Sequence, residues 1–107
     1  MRSVDCLLGC PYDMVSYALL LNLLAKEVGM AVGEVVGFFG DTHIYSNHVE
    51  FVREQLTRDP AKHPYPQLML AEGRSLLGDA GPAYTSADVV LVNYAAYPNW
   101  KNVPLAT

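Results

Sequence analysis

Basic residues are scarce in this sequence. Seven lysines and arginines stand against eleven aspartates and glutamates, which gives a formal net charge of −4. The basic residues are scattered and form no stripe along the chain. Binding to a nucleic-acid polymer depends largely on such a stripe, because it neutralises the phosphates. We therefore expect no nucleic-acid polymer as a partner.

Cysteine is also rare, since the chain has only Cys6 and Cys10. Their spacing of four fits neither a zinc-binding pattern nor a disulfide framework. Two reduced thiols are typical of a cytosolic protein, so a cytoplasmic location is expected. We interpret both cysteines as core thiols rather than as reactive groups.

Long apolar runs are missing as well. The most apolar stretch, residues 14–25, is interrupted by Ser16, Tyr17 and Asn22 and is too short to span a bilayer. No secretory leader pattern precedes it. The sequence therefore predicts no contact with a membrane.

The composition is nevertheless globular, with 51% apolar and 17% charged residues among 107. This length suffices for one domain. The apolar share is high for so short a chain, which indicates that a partner subunit or further sequence covers part of its surface. We expect residues 1–107 to form a single, partial domain.

Two helices are predicted from the pattern of apolar residues. Residues 12–29 favour a helix closed by Gly29, and because apolar residues lie on nearly every face we expect that helix to be buried. Residues 47–58 place apolar side chains at helical spacing, with Asn47 as the expected cap and Glu50 completing a capping box.

Strands are predicted at three places. Residues 33–45 are rich in Val, Phe and Ile and look extended, and residues 66–71 and 88–94 indicate two short strands. A proline-containing loop, 59–66, and a glycine-containing loop, 72–87, connect these elements. The predicted class is α+β, with one very apolar helix packed on a small sheet of three strands.

Candidate site residues lie in the extended segment and near the first residues. Alternation along a strand places Asp41, His43 and Tyr45 on one face. A histidine and a tyrosine two residues apart can hold a hydroxyl group, and the alternative is a hydrogen-bonded strand end. Arg2 and Ser3 are neighbours that can both donate to an anion, or they are ordinary surface residues.

Two carboxylates, Asp5 and Asp13, lie in an otherwise apolar region. Each can be a cap or an ion-pair partner. Asp13 falls near the start of the first predicted helix, where a carboxylate is favoured in any case.

Taken together, these segments resemble one enzyme family. The stretch "RSVDCLLGCPYDMVSYALL" resembles the phosphate- and base-binding segment of thymidylate synthases, R-S-x-D-x-x-L-G-x-P-[FY]-N-x-x-S-Y-A-L-L. "GDTHIYSNHVE" is similar to the family's G-D-[TA]-H-[IL]-Y-x-N-H, and "KNVPLAT" to its closing K-A-P-V-A-[IV]. The resemblance covers most of the chain and is weakest at residues 72–87. It implies the C-terminal third of the thymidylate synthase fold.

The resemblance implies a site for a pyrimidine nucleoside monophosphate. Arg2 and Ser3 would bind its phosphate, because an arginine fork suits a phosphate dianion and a hydroxyl adds a neutral donor. His43 and Tyr45 would hold the 3′-hydroxyl of the sugar, in agreement with their expected common face.

The resemblance also implies 5,10-methylenetetrahydrofolate as the cofactor. Asp5 would take part in the folate and catalytic network, and Leu8 and Gly9 would line the folate side. Thr107 would supply the terminal carboxylate that closes over the folate. Family members are homodimers, so either a second copy or a missing N-terminal portion is the expected protein partner.

Position 13 departs from the family pattern, which has Asn where this chain has Asp. Asn offers an acceptor and a donor that match N3–H and O4 of uracil. Cytosine presents the reverse, and a protonated Asp can donate to N3 and accept from the N4 amino group. Aspartate here marks the cytidylate branch of the family, the dCMP and CMP hydroxymethylases. Asp13 therefore predicts a cytosine base, with a decayed copy as the alternative.

The family's nucleophile is a cysteine thiolate that adds to C6 of the base, so that C5 takes up the one-carbon unit. Its segment lies about twenty residues before the R-S pair, and neither Cys6 nor Cys10 matches it. We therefore expect this chain to be inactive by itself.

Three readings stay open: a cytidylate hydroxymethylase or methylase, a thymidylate synthase acting on dUMP, and a non-catalytic fragment that binds nucleotide or assembles with a partner. The product, methyl or hydroxymethyl, and the sugar, ribose or deoxyribose, are undecided.

Overall fold

The fold begins with a strand, β1, that the sequence did not predict. The computed structural model describes residues 1–105. This strand precedes the long helix, so the order is strand, helix, strand, helix, strand, strand. Three short 3-10 turns lie between these elements. The six elements are β1 (Ser3–Asp5), α1 (Gly9–Glu27), β2 (Asp41–His43), α2 (Val49–Thr57), β3 (Gln67–Leu70) and β4 (Val89–Val92).

The strands form two separate two-stranded sheets rather than the single three-stranded sheet that the sequence predicts. Strands β1 and β2 are parallel, with Ser3 opposite Asp41 and Asp5 opposite His43. Strands β3 and β4 are antiparallel, with Leu68 opposite Leu91. The missed pairing joins segments nearly forty residues apart, and β1 is too short to show an alternating pattern.

Helix α1 ends where the sequence predicts, because Gly29 adopts φ of 66°, a conformation that glycine takes at little cost. The amide of Gly29 donates to the Lys26 carbonyl, and that of Met30 to the Ala25 carbonyl. The helix begins at Gly9, three residues earlier than predicted, since Pro11 is tolerated in its first turn.

The burial of α1 differs from the expectation. Only Leu23 and Ala25 of this helix are buried, whereas Tyr17 and Leu24 are exposed. The other elements of the chain cover only part of the helix surface. Its all-round apolar character therefore leaves a large apolar area open to solvent.

The start of α2 corrects the predicted capping box. Residues Ser46–His48 form a 3-10 turn, so His48 rather than Asn47 precedes the helix. No side chain caps α2 at that end. The turn brings His48 into the interior, and the strand before it is shorter than expected because residues 33–40 pair in no regular ladder.

The loop between β3 and β4 is held by carboxylates. Glu27, at the end of α1, accepts from the Ser75 hydroxyl at 2.5 Å and from the Leu76 amide at 2.8 Å. Asp88 accepts from the Thr85 hydroxyl at 2.7 Å and from the Arg74 guanidinium at 3.0 Å. These bonds give an irregular segment a defined path across the end of α1.

Within residues 1–105, no helix combines the length and the hydropathy needed to cross a membrane.

Candidate functional site

The candidate site lies where the carboxyl ends of β1 and β2 meet. Because the two strands are parallel, their last residues, Asp5 and His43, are register partners. The Cys6 amide donates to the His43 carbonyl at 3.0 Å and extends this pairing by one residue. Tyr45 and His48 follow β2 at once. The fold thus gathers two histidines, a tyrosine and a carboxylate at one edge.

His43 and Tyr45 contact each other as the sequence predicts. Their ring centroids lie 4.9 Å apart with an interplanar angle of 79°. The His43 Nδ1 lies 3.2 Å from the Asp41 carbonyl oxygen, which orients the ring. The Nε2 atom of His43 and the Tyr45 hydroxyl make no hydrogen bond among residues 1–105, so both are available to a ligand hydroxyl.

Asp5 is half-buried and well positioned. Its Oδ1 accepts from the Leu7 amide at 3.1 Å, a local turn that fixes the carboxylate. Gly9 packs directly beside it, since a Cβ on Gly9 would lie 3.5 Å from the Asp5 Cβ. Leu8 precedes the helix and is half-buried. The three residues expected on the folate side, Asp5, Leu8 and Gly9, are therefore neighbours.

His48 is a site residue that the sequence analysis did not select. Its side chain is 1% exposed, and its Nε2 lies 2.7 Å from the Pro104 carbonyl oxygen. Its Nδ1 lies 4.0 Å from Oδ1 of Asp5. Tyr45 packs edge-on against it, with ring centroids 5.6 Å apart. Its position as the last residue of the family-like segment GDTHIYSNH was a signal for it, whereas the 3-10 turn that buries it is not evident from the sequence.

Asp13 lies in the second turn of α1, four residues after Gly9 and therefore on the same side of the helix. At about 1.5 Å of rise per residue, the two positions lie about 6 Å apart along the axis. Asp13 is half-buried, and its side chain makes no hydrogen bond or ion pair within the described residues. It is neither the residue before the helix nor in its first turn, so the interpretation of Asp13 as a cap is wrong.

Arg2 and Ser3 lie at the opposite end of β1 and are exposed. Ser3 and Asp5 share a face of the strand, separated by about 6.6 Å at 3.3 Å per residue. The structure does not bring Arg2 or Ser3 into contact with the His43–Tyr45 pair. The β1–β2 register places Ser3 and His43 at opposite ends of this two-stranded sheet.

The family model described as thymidylate synthase matches residues 1–106. The chain belongs to the thymidylate synthase family. This is a family of methyltransferase enzymes that bind a nucleotide, use methylenetetrahydrofolate and generally work as dimers.

A solved structure of a family member agrees with this assignment. The chain superposes on the thermostable thymidylate synthase A from Bacillus subtilis with a TM-score of 0.82 and 27% sequence identity. The match covers 94% of this chain and 34% of that enzyme, so the chain spans about a third of its length. The expected α+β thymidylate synthase fold is confirmed.

The sequence of this thymidylate synthase-family chain also led us to expect that both cysteines lie in the core and that Thr107 closes over the folate. Cys6 and Cys10 are free and half-buried, which makes them peripheral rather than central core residues. Thr107, the expected source of the folate-closing carboxylate, lies outside the described residues.

Proposed function

We propose that this chain forms the nucleotide-binding part of a methylenetetrahydrofolate-dependent C5-transferase that prefers cytidylate, as the hydroxymethylases do. The observation that carries the proposal is Asp13, a half-buried carboxylate with no partner among residues 1–105. A ligand that covers this carboxylate removes it from water, so the ligand must offer it a hydrogen-bond partner or bear the cost of an unsatisfied group. The proposal takes residues 1–107 as one partial domain of the enzyme.

The nucleotide lies along the β1–β2 sheet in this proposal. Arg2 and Ser3 donate to its phosphate, and the His43–Tyr45 pair binds the 3′-hydroxyl. Support comes from the exposed donors at one end of β1 and the ring pair 4.9 Å apart at the other end of β2. Ser3 and His43 belong to one parallel strand pair, whose register sets their spacing along the strands.

The base then contacts Asp13. A protonated Asp13 donates to N3 of cytosine and accepts from its amino group, whereas an ionised one still accepts from the amino group. Uracil presents an N3–H and an O4 acceptor, so its O4 faces another acceptor. Each unsatisfied polar group in a desolvated site costs on the order of 1–3 kcal/mol, or about 5- to 150-fold in preference.

Asp5, Leu8 and Gly9 fit a folate. Gly9 presents no side chain beside Asp5, and Oδ2 of Asp5 makes no hydrogen bond among residues 1–105, so it can accept from ring N–H groups. When bound, methylenetetrahydrofolate supplies the one-carbon unit. Asp5 orients that cofactor, and the apolar Leu8 keeps water from its ring.

The nucleophilic thiolate is not assigned to Cys6 or Cys10. Neither cysteine occupies the position of the family's nucleophile segment, which precedes the R-S pair, whereas both cysteines follow it. We propose that another part of the enzyme supplies the thiolate and that the functional unit is a homodimer. The 107-residue chain is then expected to bind nucleotide without turning it over.

The Asp13→Asn substitution tests the base assignment. In the intact enzyme we expect the ratio of kcat/KM for dCMP or CMP over dUMP to fall by about 10- to 100-fold, because Asn matches uracil. Asp79→Asn, an exposed carboxylate in the 72–87 loop, is the matched control and should leave the ratio unchanged. An unchanged ratio in Asp13→Asn would remove cytosine recognition from this residue.

A thymidylate synthase acting on dUMP is the second candidate, favoured by the match to a thymidylate synthase. It requires the wild-type enzyme to prefer dUMP in the same assay. A third candidate, a non-catalytic nucleotide-binding fragment, requires binding of either nucleotide with no turnover even in the full assembly.

A further inference from the structure

His48 stands out because it is the one histidine whose ring is removed from solvent, with 1% exposure. Its two nitrogen atoms have different surroundings. Nε2 lies 2.7 Å from the Pro104 carbonyl oxygen, 56 residues along the chain. Nδ1 is buried and has no hydrogen-bond partner among the described residues.

The contact with Pro104 determines the tautomer. A carbonyl oxygen only accepts, so Nε2 must carry the proton and donate it. In the neutral ring Nδ1 is then an acceptor, and it faces Oδ1 of Asp5 at 4.0 Å. A donor shared by the two acceptors, such as one water, would satisfy the buried Nδ1, which has no partner among the described residues.

We propose that His48 is a positioning residue that ties the C-terminal segment to Asp5. One side of the ring holds the chain at Pro104, and the other side orients the carboxylate through the shared donor. Tyr45 packs edge-on against the same ring, so the sugar-binding tyrosine is part of this unit. The part of this proposal that concerns Asp5 rests on the proposed function, whereas the part that concerns the contact with Pro104 does not.

Two substitutions separate the two sides of the ring. The amide of His48→Gln reaches the position of Nε2 and still donates to the Pro104 carbonyl. The shorter amide of His48→Asn occupies the position of Nδ1 and still faces Asp5. His63→Gln is the control, because that half-buried ring packs on Tyr97 at 4.9 Å, outside this unit.

The first readout is the NMR order parameter of the backbone amides of Val103 and Leu105, which reports motion on the picosecond-to-nanosecond scale. We expect it to fall in His48→Asn and to stay at the wild-type value in His48→Gln and His63→Gln. The ¹⁵N shifts of the wild-type His48 ring should show a protonated Nε2. Equal order parameters in the two His48 variants would overturn the part that concerns the contact with Pro104.

The second readout is turnover of cytidylate by the intact enzyme. We expect His48→Gln to lower kcat by about 10-fold or more with the nucleotide KM changed less than about two-fold, since Asp5 loses its orientation. His48→Asn should instead raise the KM for the folate. Variants that lower only the melting temperature would assign His48 a merely structural role. A wild-type enzyme that turns over no nucleotide would refute the proposed function, while the order parameters still decide the Pro104 contact.

Discussion

At the scale of single residues, the close approach of β1 and β2 depends on the absence of a side chain at Gly40. Its amide donates to the Met1 carbonyl at 2.9 Å, and a Cβ there would lie 2.7 Å from the Arg2 carbonyl oxygen. The atoms that an added Cβ would meet belong to the backbone of Met1 and Arg2, which cannot move aside as a flexible side chain can. Gly40 therefore sets the distance between the strand that carries Asp5 and the strand that carries His43.

We expect Gly40→Ala to destabilise the protein by about 1–3 kcal/mol, the usual cost of overpacking. Gly33→Ala is the matched control, because a Cβ at Gly33 meets nothing within 4 Å. The free energy of unfolding in urea checks the difference. Equal values for the two variants would show that the strands separate without cost.

At the scale of elements, the end of α1 and the loop after β3 are joined through one carboxylate. The Ser75 hydroxyl and then the Leu76 amide, both donating to Glu27, lower the pKa of that carboxyl below its ordinary value of 4.5. Ser75 is fully buried, which keeps its hydroxyl directed at Glu27. The 72–87 loop, where the family resemblance is weakest, is therefore held against α1 by the hydrogen bonds to Glu27.

This contact predicts a dependence of stability on pH. Because the pKa of Glu27 is lower in the folded state, its contribution is fully present above about pH 4.5, the unfolded value, and is lost as pH falls through the folded value. We expect Glu27→Gln to be less stable than wild type at pH 7, with the gap closing below pH 4.5. Urea unfolding from pH 7 to pH 3 measures this.

Glu34→Gln serves as the control for that series, because Glu34 is exposed and makes no hydrogen bond among residues 1–105. It should follow the wild-type pH profile. If the difference in unfolding free energy between Glu27→Gln and wild type stayed constant with pH, the charge of Glu27 would not contribute to the contact.

At the scale of the whole molecule, the chain is more open than its size requires. Its accessible surface is 8251 Å² for 11.7 kDa, against about 5,900 Å² for a typical monomer of that mass. Its radius of gyration is 16.8 Å, against about 13 Å for a compact domain. Some of the exposed apolar side chains line a groove between α1 and residues 34–38, namely Met14, Tyr17, Leu21, Leu24, Val36 and Phe38.

We expect the 107-residue chain in isolation to self-associate through this groove as its concentration rises. Phe38→Ser should weaken the association, and Leu56→Ser should not, although the two side chains are equally exposed at 82% and 81%. Sedimentation velocity over a concentration series makes the comparison. Equal effects of the two substitutions would mean that general hydrophobicity, and not the groove, drives association.

The sequence by itself determined the features that depend only on residues close together in the chain. Gly29 ends α1 because a left-handed residue costs glycine little, and the short apolar runs within residues 66–71 and 88–94 become strands β3 and β4. The R-S, G-D-T-H and tail motifs identified the family, and the contact of His43 with Tyr45 needed only strand alternation.

The tertiary structure alone decided the rest, because it depends on contacts between residues far apart in the chain. The β1–β2 register brings Asp5 to His43, and the Pro104 carbonyl lies 56 residues from the His48 ring that meets it. No local pattern encodes which distant backbone group a buried histidine will meet. The burial of α1 likewise depends on which surfaces cover it, and within residues 1–105 only Leu23 and Ala25 of that helix are buried.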